Sequence, residues 1–161
     1  MTSVAWYRDR NARSLIALRY LPWLGALSLA WEAGHVPLYT VWNEAGVGYI
    51  AFAVLHCTVG DLLIGGAALV LALILSGERG LAYWKWRRIA VVTVLFGMAY
   101  TVFSEWMNVE VLRSWAYAPS MPRLDLGAFQ VALTPVLQWL VIPPVALYLS
   151  QKAQGMASPT V

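Results

Sequence analysis

Two carboxylates and two histidines occur in this chain at spacings that could build a metal site. Glu32 and His35 are three residues apart, and on a helix this spacing directs an oxygen and a nitrogen toward one ion. His56 and Glu105 could add two ligands, and such a set of carboxylates and imidazoles is ordinary for zinc or iron. We therefore predict that Glu32, His35, His56 and Glu105 bind a divalent metal ion. The simpler interpretation places both glutamates at the level of the lipid headgroups, in contact with water.

Asp61 is the only acidic side chain in the most apolar stretch of the chain, residues 47–76. A carboxylate at the centre of a membrane costs at least about 2.5 kcal/mol, so it usually faces a partner, a cavity or a proton path. We predict that Asp61 faces the protein interior and has Gln138 as its partner. Asp61 and Glu105 are the candidate catalytic acids, and Asn108 and Gln138 are the candidate ligand-binding amides.

The two histidines also allow a different cofactor. His35 and His56 would lie at similar depth on adjacent antiparallel helices, which is the minimum requirement for the axial ligands of a b-type haem. Pro37 follows His35 by two residues, so that ligand would sit at a helix end. A haem is therefore less favoured than a zinc or iron ion.

Four apolar segments must position these residues. Hydrophobic residues make up 60% of the 161 residues and charged residues 12%, whereas soluble proteins carry about 25% charged residues. Each segment is near or above the ~20 residues that a membrane-spanning helix needs. The sequence therefore predicts an all-α membrane protein with one domain, a bundle of four transmembrane helices that cover residues 14–35, 48–75, 88–108 and 128–149.

The basic residues predict the orientation of this bundle. Nine of the eleven Lys and Arg residues flank or open the spans on the side of the two termini, and only Arg113 and Arg123 lie on the other side. By the positive-inside rule, both termini are cytoplasmic and the protein is a multi-pass protein of the cell (inner) membrane. The net charge of +3 thus reflects topology, and no motif for nucleic-acid binding accompanies it. Residues 28–30 also have the form of a signal-peptide cleavage site, but Arg19 and Pro22 interrupt the apolar core and favour an uncleaved span.

Helical rise places the polar residues in two layers. At 1.5 Å per residue, Glu32 and Glu105 both lie roughly 25 Å from the inner ends of their spans, near His35 and Asn108. Asp61 lies roughly 18 Å below the outer end of its span, near the midplane. These layers predict a polar site at the extracytoplasmic end of the bundle.

The sequence is consistent with three functions. The first is a small integral membrane protein, with the character of a small membrane enzyme, that binds a metal or another ligand at this polar site. The second is an accessory subunit of a larger membrane complex, whose buried polar groups bond to partner helices. The third is a b-type haem electron carrier. Membrane lipid is an expected partner in each case, together with other membrane subunits or a second copy of the chain.

Overall fold

The computed structural model describes residues 4–77, 79–125, 127 and 130–155, and these residues are mostly helical. The α-helices are α1 (Arg10–Leu15), α2 (Leu21–His35), α3 (Val41–Glu44), α4 (Val47–Leu75), α5 (Trp86–Trp106) and α6 (Leu133–Gly155). Short 3₁₀ turns cover Trp6–Arg8, Val36–Leu38 and Leu81–Tyr83, and π-helical turns cover Ile16–Tyr20 and Met107–Val111. An antiparallel hairpin of β1 (Arg123–Asp125) and β2 (Gln130–Ala132) precedes α6.

Three helices in these ranges are long and apolar enough to cross a membrane, namely Val47–Leu75, Trp86–Val111 and Leu133–Ala153. They coincide with the second, third and fourth predicted spans, as expected for a multi-pass membrane protein. The predicted start of the fourth span at residue 128 is wrong where the structure describes it. Residues 130–132 pair with β1, and α6 begins at Leu133, with Pro135 in its first turn, where the missing N–H costs nothing. Residues 128 and 129 lie outside the described ranges.

The predicted first span is helical but divided. α1 continues into the π-helical turn Ile16–Tyr20, and α2 follows directly, with the Leu21 amide bonded to the Ile16 carbonyl five residues earlier. Pro22 explains this position, because a proline has no N–H and its ring crowds the carbonyl four residues before it. A local π-helical turn is one way in which a helix accommodates such a residue.

The four long helical segments pack in a ring, in which α2 contacts α4 and α6, and α5 contacts the same two helices. Each helix buries one stripe of residues at a spacing of three or four. On α2 the stripe is Leu24, Ser28, Glu32 and His35. The stripe of α4 includes Asp61, so Glu32, His35 and Asp61 face neighbouring helices.

One end of the ring holds the largest apolar core and is closed by a hydrogen-bonded aspartate. Buried Leu15, Leu73 and Leu147 belong to this core. Asp9 caps α1, because its Oδ1 accepts from the Asn11 amide at 2.9 Å, and its Oδ2 accepts from the Leu81 amide at 2.7 Å. We call this end, which carries the first turn of α1 and the last turns of α6, the terminal end.

Glycines allow close helix contacts at two points. A Cβ atom on Gly65 would lie 2.6 Å from Cδ2 of Leu24, and one on Gly97 would overlap the ring of Trp139. Gly60 makes no such contact, because no described atom beyond its chain neighbours and its own helix backbone lies within 4 Å of its Cβ position. On α4, the tightest of these contacts with α2 is the one at Gly65.

Two loops cover the opposite end of the ring, which we call the cavity end. These covering loops are residues 36–46, between α2 and α4, and residues 112–122, between α5 and β1. The Thr40 amide donates to the Ala116 carbonyl at 3.0 Å, and the Ala118 amide donates to the Leu38 carbonyl at 2.9 Å. Ala118 and Met121 are buried. The loop that follows α5 therefore packs on this end of the ring through these residues.

Candidate functional site

A cavity of about 870 Å³ lies at the cavity end, between α2, α4, α5, α6 and the two covering loops. All seven residues that the sequence singled out line this one cavity, although they come from four helices. They are Glu32, His35, His56, Asp61, Glu105, Asn108 and Gln138. A volume of this size is typical of sites for small molecules and cofactors.

Gln138 joins the two most buried carboxyl groups of the cavity wall. Its Nε2 donates to Oδ2 of Asp61 at 2.6 Å and to Oε1 of Glu32 at 3.2 Å, so both hydrogens of the amide are used. All three side chains are buried. The predicted contact between Asp61 and Gln138 is confirmed. The link to Glu32 was not predicted, because counting along each helix gives depth and phase but not the direction in which a neighbouring helix turns its side chain.

His35 is held in one orientation beside this group. Its Nδ1 lies 3.1 Å from the carbonyl oxygen of Trp31 and 4.0 Å from Oε2 of Glu32. Because a carbonyl only accepts, Nδ1 carries the hydrogen, and Nε2 of the neutral ring is a hydrogen-bond acceptor. The side chain is only 7% exposed. Nε2 has no hydrogen-bond partner among the described residues, and His35 lines the cavity.

Glu105 is held by two tyrosines from the covering loops. Its Oε2 accepts from the Tyr117 hydroxyl at 2.5 Å and from the Tyr39 hydroxyl at 3.5 Å. Burial, with the Glu105 carboxylate as the next cause, raises the pKa of Tyr39 and of Tyr117 well above the ordinary value. Both phenols therefore keep their protons at neutral pH and act as donors. Sequence reasoning missed these roles. The feature that could have indicated them is an acid near the end of α5, together with one tyrosine in each of the two covering loops.

Asn108 and His56 line the cavity but are less closely tied to the acids. The Asn108 side-chain amide donates to the carbonyl of Ser104 at 2.9 Å, on its own helix. The His56 ring stacks on Phe52, with 5.6 Å between ring centroids, and the residue is exposed. The structure thus brings Glu32, Asp61 and Gln138 together, with His35 beside them.

The predicted metal site gains no support from this geometry. In the described part of the chain, no three His, Cys, Asp or Glu side chains are placed so that they could hold one ion. The reason is visible in the contacts. Glu105 is turned toward Tyr39 and Tyr117, and Glu32 is turned toward Gln138.

The cavity wall is acidic and aromatic. Four acidic side chains line it, those of Glu32, Glu44, Asp61 and Glu105, whereas Arg113 is the single Lys or Arg in the described wall. The same wall contains six aromatic rings, those of Tyr39, Tyr49, Phe52, Tyr100, Trp115 and Trp139. Low-dielectric walls concentrate the field of such charges inside a cleft. The cavity wall therefore combines mostly acidic groups with aromatic faces.

Comparison of the chain with models of known protein families, with curated protein sequences and with solved structures gave no match.

Proposed function

We propose that this protein is a small integral membrane protein that binds a small organic ligand in the cavity at the extracytoplasmic end of a four-helix transmembrane bundle. The observation that carries the proposal is that seven polar residues from four helices line one cavity of about 870 Å³. Burying Glu32 and Asp61 side by side costs stability, and such a cost is usually retained where a ligand or a proton uses the groups.

The side chains have distinct roles in this proposal. Asp61 and Glu105 are the acidic groups that contact the ligand or transfer a proton, and Gln138 and Asn108 are donors to it. Glu32 and His35 complete the wall beside Asp61. If the protein is an enzyme, the carboxyl pair and His35 Nε2 are its acid and base.

Two less favoured proposals add a cofactor to this cavity. A zinc or iron ion on Glu32, His35, His56 and Glu105 would require Glu105 to leave its tyrosines. A b-type haem on His35 and His56 is favoured only by the presence of both imidazoles in the wall of one cavity. Metal analysis and an absorption spectrum of the purified protein test both proposals.

In this proposal the first of the four membrane spans consists of α1, the π-helical turn and α2 together. Arg19 lies in the π-helical turn of this segment and Glu32 lies near its far end. In this proposal both are tolerated because neighbouring helices and the membrane interface surround them. An accessory subunit is the alternative function, in which helices of another chain occupy the cavity end. Lipid covers the outer faces of the bundle in either case.

Cys57 offers a test of the cavity, because it is the single cysteine of the protein and lies in the cavity wall. We expect a water-soluble methanethiosulfonate reagent to modify Cys57 in the protein embedded in lipid vesicles. The matched control is Leu63→Cys in a Cys57→Ser background, because Leu63 is 70% exposed on the same helix but outside the cavity wall. Lipid should protect the control thiol. Mass spectrometry gives both rates, and equal rates would rule out a water-filled cavity.

The orientation of the bundle has its own test. The distribution of basic residues places the loop between α4 and α5 in the cytoplasm and the segment 110–127 outside. Reporter fusions after Gly80 and after Pro122 should therefore give opposite signals, with the first active only as a cytoplasmic reporter. The same signal from both fusions would contradict this topology.

A further inference from the structure

We propose that the ligand of this cavity is an organic cation, with an ammonium group that binds between the carboxylates and an apolar part that packs on the aromatic wall. This inference rests on the proposed function, because it names the class of ligand for the same site. It depends on three observations about the described wall, which concern its charge, its hydrogen-bonding groups and its rings.

The first observation is the charge of the wall. Four carboxyl groups and one guanidinium line the cavity, and the guanidinium belongs to Arg113, which is exposed in a covering loop. Glu32 and Asp61 are the most buried of these acids, and the Gln138 amide nitrogen bonds to an oxygen of each. These bonds measure 3.2 Å to Glu32 and 2.6 Å to Asp61, so the two carboxyl groups lie close together. Two such acids in a low-dielectric site favour a bound positive charge over an anion.

The second observation is an unused acceptor beside this pair. The Nδ1–H of His35 is satisfied by the Trp31 carbonyl, and Nε2 of this cavity-lining residue has no partner among the described residues. The residue is more than nine-tenths buried, so bulk water does not surround this nitrogen. A ligand that donates hydrogen bonds can pair with Nε2 and add a donor to the carboxylates, whereas a ligand with acceptors alone leaves Nε2 unpaired.

The third observation is the set of rings around the acids. Tyr39 lies against His35 with 5.4 Å between ring centroids, and Trp139 lines the same cavity next to Gln138 in the sequence. Aromatic faces attract ammonium groups and pack on apolar chains. A metal ion uses neither property, and no three ligating side chains converge in the described wall to hold one. The combination therefore selects an organic cation.

The experiment compares two probes of nearly equal shape. Phenethylamine carries an ammonium group at pH 7, and 2-phenylethanol carries a hydroxyl group on the same ring and chain. Isothermal titration calorimetry on the full-length protein in a nonionic detergent gives the affinity for each. We expect the amine to bind at least tenfold more tightly, and we expect Asp61→Asn to weaken binding of the amine by at least tenfold while the affinity for the alcohol changes little.

Asp125→Asn is the matched control, because Asp125 lies in the hairpin outside the cavity wall, and it should leave both affinities unchanged. Glu32→Gln is a second variant in case Asp61→Asn fails to fold, which thermal unfolding will reveal. Equal affinities, or tighter binding of the alcohol, would overturn the inference and leave the proposed ligand site standing. If neither probe binds, both the inference and the proposed function are wrong.

Discussion

Gly97→Ala is expected to destabilise this protein although alanine favours a helix more than glycine does. Gly97 is buried on α5, in a stripe that repeats every fourth residue. An added Cβ atom would overlap three carbons of the Trp139 indole, and Trp139 is only 2% exposed on α6. Overpacking of a filled core costs about 1–3 kcal/mol, so we expect the unfolding temperature in detergent to fall by several degrees.

Gly60→Ala is the matched control for this substitution. Gly60 lies inside α4, and no described atom beyond its chain neighbours and its own helix backbone is within 4 Å of its Cβ position. Its replacement should be neutral or should stabilise the helix by up to about 1 kcal/mol. Trp139→Leu combined with Gly97→Ala should lose less stability than the sum of the two single changes, because the smaller side chain makes room for the methyl group. If Gly97→Ala is as stable as Gly60→Ala, α5 and α6 do not meet as described.

Gln138→Met is expected to have an effect of similar or larger size. Methionine fills about the same volume but donates no hydrogen bond, so it leaves Asp61 and Glu32 without the amide that now bonds to both. Each buried polar group without a partner costs about 1–3 kcal/mol, and a charged group costs more. We expect a loss of several kcal/mol in the free energy of unfolding, measured by thermal or denaturant unfolding in detergent.

Three further variants separate the hydrogen bonds from packing. Asp61→Asn keeps an acceptor for the Gln138 amide, so it should lose little stability. Asp61→Leu removes that acceptor and should lose more, though less than Gln138→Met, because Glu32 still accepts from the amide. Leu137→Met, on an exposed position of the same helix, should be near neutral. Equal stability of Gln138→Met and Leu137→Met would show that the hydrogen bonds of Gln138 to Asp61 and Glu32 contribute nothing to stability.

The division of the first helix illustrates how far sequence reasoning reaches. A proline at position 22 predicts a disturbed helix, since it removes one hydrogen bond and crowds a carbonyl. The sequence does not say how the chain responds, because a kink, a break or a π-helical turn would each relieve the crowding. The structure selects a π-helical turn at Ile16–Tyr20. The start of α6 was misplaced for a related reason, because apolar residues after Gly127 fit a strand as well as a helix.

The sequence alone determined which segments are helices apolar enough to enter a membrane, and it determined which polar residues lie near one end. Apolar length and helical rise are local properties, so they can be read along a single chain. Only the tertiary structure decided which groups bond to each other. Depth placed Glu32, Glu105 and His35 in one layer, but the rotation of each helix turned Glu105 toward Tyr39 and Tyr117. The same rotation gave Asp61 and Glu32 a common donor in Gln138, because side-chain direction depends on how neighbouring helices pack.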